Sequence, residues 1–371
     1  MTSVARATLY RKDLTLREPI RHTGAPQGID RLEEAYLVLE DGDGRKGYGE
    51  VRGNCPYIHG DTRQGILDVV ARALPRLMGR DPLQVAGLIQ EVRQGLGLTA
   101  AAIALVDLAL HDLAAKRLGI PLYVLLGGRA SAELPSNQTI PFGTPDEAEG
   151  HAVRYLAEGY GQLKLRVGMR PFQMDLDRFR AVAAVAVGRA SLAVDANQAW
   201  TPKEAIRNIR ALHAVAPLEY MEQPTPARDF HALRQVTAAT EVPIMADESL
   251  QSPRDALELI RLQAVDLLHI KLVKVGGLIP ARQVMAIAEA AGVGYMMGQV
   301  REGRVAAAAA AHAAVASRAR YVELYSMPSL IDDPASGLDI ENGRVRLPSG
   351  PGVGVQLDED RLELVHTYPG E

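Results

Sequence analysis

The stretch Val194–Thr201 reads VDANQAWT, and it closes the apolar run SLAVD with an aspartate, then an asparagine. A strand that is core along its length has no packing reason to finish in a carboxylate. The same ending recurs twice. LEYME closes in Glu222 and VPIMAD closes in Asp247. From 195 to 222 is 27 residues and from 222 to 247 is 25, each close to one strand-plus-helix unit. Outward from these three, short β-rich runs alternate with helical ones. The spacing predicts strands at Leu134–Ile140, Gln162–Val167, Ser191–Asp195, Glu219–Glu222, Pro243–Asp247, Asp266–Leu272, Gly294–Gln299 and Tyr321–Tyr325. The intervening TPKEAIRNIRALHAVA, SPRDALELIRLQA and IPARQVMAIAEAAGV open with Thr, Ser or Pro, as helix starts do. Eight strands alternating with helices predict a parallel α/β sheet that closes into a barrel.

The flanks differ. EEAYLVLEDGDGRKGYGEV reads as a hairpin around Asp-Gly-Asp-Gly, and Thr62–Leu126 reads as helical. TAAAIALVDLALHDLAAKRLG is expected to be a long amphipathic helix closed by Gly119, with Pro121 beyond. Residues 330–371 return to strand and turn, and are expected to rejoin the N-terminal region. The 371 residues are 47% hydrophobic and carry a formal charge of −4 with both signs mixed. That supports a sizeable core and gives no field for nucleic acid and no polybasic membrane patch. Cys55 is the lone cysteine, so no internal disulfide forms and a reducing, cytoplasmic setting is expected. The N-terminal segment lacks the apolar centre of a signal peptide, and RVAAAAAAHAAVASRARYV reads as a helix, not a membrane span.

In a parallel barrel the strand C-termini meet at one face, where active sites lie. Asp195, Glu222 and Asp247 would converge there. Three carboxylates brought together repel one another and require a positive partner. An all-oxygen donor set suits a hard divalent cation, Mg²⁺ first and Mn²⁺ second. No His or Cys is expected beside them to favour zinc. Taken singly, each acid would be a helix cap or a solvated strand end; the metal reading rests on the recurrence.

The bases come next. Lys164 and Arg166 in QLKLRVG share one strand face. Lys271 in HIKLVKVGG ends the strand after Asp247, so cationic groups would approach from two sides. A lysine beside a divalent ion should lose basicity toward neutral pH and serve as a general base. The alternative is a salt bridge to one of the acids. Lys274 is expected on the surface.

Together the segments ALVDLALHDLAAKRLGIPLYVLLGG, LKLRVG, VDANQAW, MEQP, MADES and IKLVKVGG resemble the enolase superfamily, in its branch of mandelate racemase and muconate-lactonizing enzymes. The resemblance covers nearly the whole chain. It implies a modified TIM barrel, (β/α)7β, with an α+β capping domain built from both termini: residues 1–130 as N-terminal cap, 131–328 as barrel, and 329–371 as the segment returning to the cap. It implies Mg²⁺ held by Asp195, Glu222 and Asp247, and abstraction of the proton α to a carboxylate of a small acid. It also implies Lys164 as a group that stabilises the enolate and Lys271 as a base.

Departures from the family pattern shape the expected reaction. The second residue of the family's Lys-x-Lys pair, a base there, is Arg166 here, and arginine is a poor base. A one-base lyase (dehydratase) or cycloisomerase is therefore expected. The alternatives are a racemase or epimerase with bases on both faces and a non-catalytic binding protein with a degraded site. The seventh strand lacks the histidine of the mandelate-racemase branch, and His312 reads as structural. Dipeptide epimerases of this branch grip an ammonium with Asp-x-Asp on the eighth strand; VELY puts Glu323 and Tyr325 there, which disfavours a dipeptide. Asn197 and Glu248 are expected to support metal or base, and Gln299 and Glu302 to lie near the site. The loops at 17–27 and 53–62 are expected to set specificity, with His22, Tyr57 and His59 as candidate substrate contacts. Barrels of this kind often associate, so a homo-oligomer is expected.

Overall fold

The computed structural model describes residues 3–94, 97, 99–129 and 133–369. The N-terminal hairpin folds as expected, as β1 (Val4–His22), β2 (Ala25–Asp41) and β3 (Lys46–Arg52), antiparallel throughout. The C-terminal strand Glu363–Tyr368 adds to the free edge of β1, with Ala7 opposite Tyr368. The chain's last segment thus rejoins its first.

The helix Ala100–Leu118 is not amphipathic. Nearly all of Ala101–Ala115 is buried, because one side packs on the cap sheet and the other on the barrel. Glycines on β3 allow the close approach. A β-carbon at Gly47 would lie 2.4 Å from Ala109 O, and one at Gly49 would lie 2.3 Å from Leu105 O. The helix's acids serve backbone N–H groups on both sides. Asp112 accepts from Tyr48 N at 2.8 Å and Val353 N at 2.7 Å, and Asp107 accepts from Leu278 N at 2.6 Å. Buried carboxylates need such donors, which is why a helix with charged residues can be core all round.

The barrel strands are β4 (Gln138–Ile140), β5 (Gln162–Arg166), β6 (Ser191–Asp195), β7 (Leu218–Glu222), β8 (Ile244–Ala246), β9 (Leu267–Lys271), β10 (Gly294–Gly298) and β11 (Tyr321–Glu323), parallel and in sequential order. Asn137 N donates to Val322 O at 2.9 Å, nearly closing the ring between its first and last strands. Helices fill the seven connections, so the architecture is (β/α)7β with an antiparallel cap. Thr144, Thr201 and Ser252 each cap a helix whose next residue is proline, the start signal visible in the sequence. Ala193, Tyr220, Met245, Leu267 and Met296 fill the barrel's interior as an apolar plug beneath the strand ends. Among the described residues no helix is long and apolar enough to cross a membrane.

Candidate active site

The strand register does the positioning. Arg166 pairs with Asp195, and Asp195 with Glu222, so the last residues of β5, β6 and β7 form one row. Asp247 follows directly on β8. The three acids are buried, and each carries cations. Arg166 donates to Asp195 at 2.9 Å, Lys164 to Glu222 at 2.7 Å, and Lys271 and Lys274 to Asp247, each at 2.6 Å. Burial and the neighbouring Glu222 charge push Asp195 up to about 7, against the pull of Arg166 and Lys164. Glu222 and Asp247 go the other way: burial would raise both, but their cations hold them below the usual carboxylate range.

Four further residues complete the cluster. Asn197 Nδ2 donates to Glu248 at 3.1 Å, Asn197 N donates to Asp195 at 2.8 Å, and Arg166 donates to Asn197 Oδ1. Asn197 and Gln198 are left-handed, with φ of 42° and 71°, in the turn straight after Asp195; such strain gathers at functional sites. Glu248 Oε2 is buried without a hydrogen-bond partner, and burial with the charges of Asp247 and Asp195 raises this carboxyl to about 8. Glu323 is buried against Lys164 and accepts from Asn137 Nδ2 at 3.0 Å. His269 Nδ1 lies 2.8 Å from Glu222 Oε1.

His269 overturns the expectation that no histidine stands near the acids. It lies two residues before Lys271 on β9, so alternation puts both on the interior face; that signal was present in HIKLV. Glu222, His269 and Glu323 are the group among the described residues whose donor atoms lie within 4.8 Å of one another. The Lys164 ammonium already sits against both of its carboxylates. Another expectation fails. Lys274 is fully buried, because the short helix Leu272–Val275 turns it back toward Asp247 and His269 O. Burial lowers the basicity of Lys271, but Asp247, Glu222 and Glu323 outweigh it and hold the ammonium above the usual lysine range, a pull that a divalent ion on the same carboxylates would weaken.

The remaining candidates divide. His22, Tyr57, Gln299 and Tyr325 line a small cavity of about 20 Å³ together with Arg166, Asn197, Asp247 and Lys271. The expected loop at 17–27 is instead the end of the β1–β2 hairpin, and its His22, the last residue of β1, meets Tyr57 of the 53–62 loop edge to face at 4.6 Å over the site. His59 is turned away, bonding Arg52 O and Asp61 N within its own loop. Glu302 accepts from Val300 N at 3.3 Å and faces Arg52 and His59, not the cavity. Arg52 and Arg301, which the sequence reading passed over, complete the wall.

Five carboxylates, Asp195, Glu222, Asp247, Glu248 and Glu323, thus face four cationic side chains, Lys164, Arg166, Lys271 and Lys274. Such a fold and site define a (β/α)-barrel enzyme. Residues 147–361 match the family described as enolase C-terminal domain-like, and residues 10–127 match the mandelate racemase / muconate lactonizing enzyme N-terminal domain. The chain belongs to the enolase superfamily, in that branch, and is an enzyme of it. It is 33% identical to the L-Ala-D/L-Glu epimerase of Bacillus subtilis (strain 168), over 87% of this chain and 89% of the relative. It is 32% identical to muconate cycloisomerase 1 of Rhodococcus opacus, over 95% of each. The solved dipeptide epimerase of Enterococcus faecalis V583, complexed with Mg and L-Leu-L-Tyr, superposes with a TM-score of 0.90 at 30% identity, over 95% of this chain and 99% of that one. The epimerases among these relatives favour the epimerase alternative over the expected one-base lyase or cycloisomerase, the cycloisomerase half of which muconate cycloisomerase 1 represents, and as enzymes they set aside the degraded-site reading.

Proposed function

We propose that this enzyme is a Mg²⁺-dependent racemase or epimerase that moves the proton α to the carboxylate of a small N-acyl or peptide-like acid. Asp195, Glu222 and Asp247 are the residues that would hold the ion. Their all-oxygen chemistry suits it, and the partnerless buried oxygen of Glu248 marks a place where positive charge is wanted. When bound, the ion supplies charge that stabilises the enediolate.

The observation that carries the reading is the placement of Arg166 and Lys271. They end β5 and β9, four strands apart in a ring of eight, and line the same cavity. A planar enediolate held between them presents one face to each. Lys271 takes or returns the proton on its face. Arg166 is held protonated: burial opposes this, but Asp195 and the surrounding negative groups prevail. On its face it donates readily and accepts slowly. Proton exchange should therefore be fast from one stereoisomer and slow from the other. Arg166 also favours a second reading, a one-base reaction in which the guanidinium only holds substrate. The test is α-proton exchange in D₂O, followed by NMR, on both stereoisomers of dipeptides and N-acyl amino acids. Label appearing in the inverted product supports the epimerase; label with retention supports one base. No exchange in any compound with Mg²⁺ present would overturn both.

A further inference from the structure

Arg301 follows the seventh barrel strand and has a left-handed backbone, with φ of 55°. A residue with a β-carbon adopts this only at a cost, and such strain persists where the surroundings hold it. Its guanidinium lies 5.1 Å from the centre of the Tyr325 ring. Among the described residues it makes no hydrogen bond and no ion pair. The other cations of the wall are engaged: Arg166 on Asp195, Lys271 on Asp247, and Arg52 on Val300 O and Asn54.

Arg301 also stands at a boundary. With Ile20 and Tyr325 it lines both the small inner cavity and an adjoining pocket of about 210 Å³. A substrate whose reacting carbon lies between Arg166 and Lys271 extends past this boundary. The adjoining pocket adds Arg17, which donates to Pro328 O at 3.0 Å, and Arg154, which pairs with Glu18 at 3.2 Å, so that with Arg301 three guanidinium groups stand against two carboxylates, Glu18 and Glu158. An ammonium placed here would face Arg301, and the nearby Glu323 is already taken by Lys164. An anion would meet a guanidinium with all its donors free.

We infer that Arg301 is a specificity-determining residue that binds a second carboxylate, distal to the reacting one, so that the substrate is a dianion. This rests on the proton-transfer reading above for which carboxylate reacts. Two matched pairs separate the sources of the distal charge: N-succinyl-L-alanine against its neutral N-succinamyl analogue, and L-Ala-L-Glu against L-Ala-L-Gln. Binding is measured by calorimetry on the full enzyme with Mg²⁺. In one pair the acidic member should bind about 30-fold tighter, the range of a charge-assisted pair. Arg301→Met should bring that ratio to about one, and Arg301→Lys should leave it intermediate, with thermal unfolding confirming that each variant folds. A ratio under about threefold in both pairs, a ratio that survives Arg301→Met, or no binding by any of the four overturns the inference. α-Proton exchange on the same compounds reads the reaction separately. Arg301-dependent binding without exchange would keep the dianion and discard the epimerase.

Discussion

Arg166 Nη1 lies 2.9 Å from Asp195 Oδ2, in the place from which a second base would act opposite Lys271. A guanidinium there limits proton removal from its face. Arg166→Lys restores a group that can give up its proton. It should raise exchange from the slow stereoisomer at least about tenfold, the gain typical of an added positioned base. Arg166→Met should leave only the fast isomer exchanging. NMR of the α-proton in D₂O reads both. If Arg166→Lys alters neither isomer, no proton passes on that side.

Asp247 anchors two buried ammonium groups, Lys271 and Lys274. Asp247→Asn leaves both without a counter-charge, and breaking a buried pair from one side costs about 3–5 kcal/mol. The melting temperature in EDTA should fall by several degrees, and Mg²⁺ affinity by calorimetry should drop at least about tenfold. Lys274→Met added to Asp247→Asn should recover part of the lost stability. Unchanged melting would mean that Asp247 does not hold these lysines.

What the sequence made legible was periodicity. Strand ends at Asp195 and Glu222, helix starts at Thr201 and Ser252, and the interior face shared by Lys164 and Arg166 all follow from local rules. Lys274 was misread because its burial depends on a single turn of helix after β9, which local pattern does not reveal. His269, in alternation with Lys271, follows from the same local rule. The reach of Arg301, and the engagement of His59 by its own loop, depend on how the cap sits over the barrel, and no local pattern encodes that. The all-round burial of Ala100–Leu118 has the same origin: it is a property of two layers, not of one helix.

Glu50 predicts a pH dependence outside the catalytic cluster. Its Oε2 accepts from Ala306 N at 2.9 Å, at the start of the helix Arg304–Val315, while its Oε1 is buried without a partner. Glu34, Glu302 and Asp333 face the same region, with Arg52 nearby. Burial and the Asp333 charge push Glu50 up to about 8. A carboxyl raised in the folded state contributes stability that is complete below its unfolded value, about 4.3, and is lost as pH rises through the folded one. Glu50→Gln mimics the protonated form and keeps an acceptor for Ala306 N. Relative to wild type it should gain on the order of 2 kcal/mol between pH 5 and pH 8, at roughly 1.4 kcal/mol per unit discounted for coupling to its neighbours. Melting temperatures at pH 5, 6, 7 and 8 check this. A difference between the two proteins that stays flat with pH would place the Glu50 proton elsewhere.

His269 fixes the far side of Glu222. Burial and the Lys271 charge keep the ring neutral, so Nδ1–H donates to Glu222 Oε1 at 2.8 Å. The next strand leaves room for the ring: a β-carbon on Gly298 would fall 2.0 Å from His269 Nε2. A carboxylate that loses such a donor loses its aim, and outer-shell losses of this kind cost about 10–100-fold in metal affinity. His269→Leu should therefore weaken Mg²⁺ binding by about that factor, while His269→Asn, which retains a donor, should weaken it less. Gly298→Ala should displace the ring and reproduce the leucine variant's loss without touching residue 269. Calorimetric titration of Mg²⁺ into the three variants, without substrate, measures this apart from turnover. Equal affinities for the Leu and Asn variants would show that the hydrogen bond to Glu222 does not set the ligand's position.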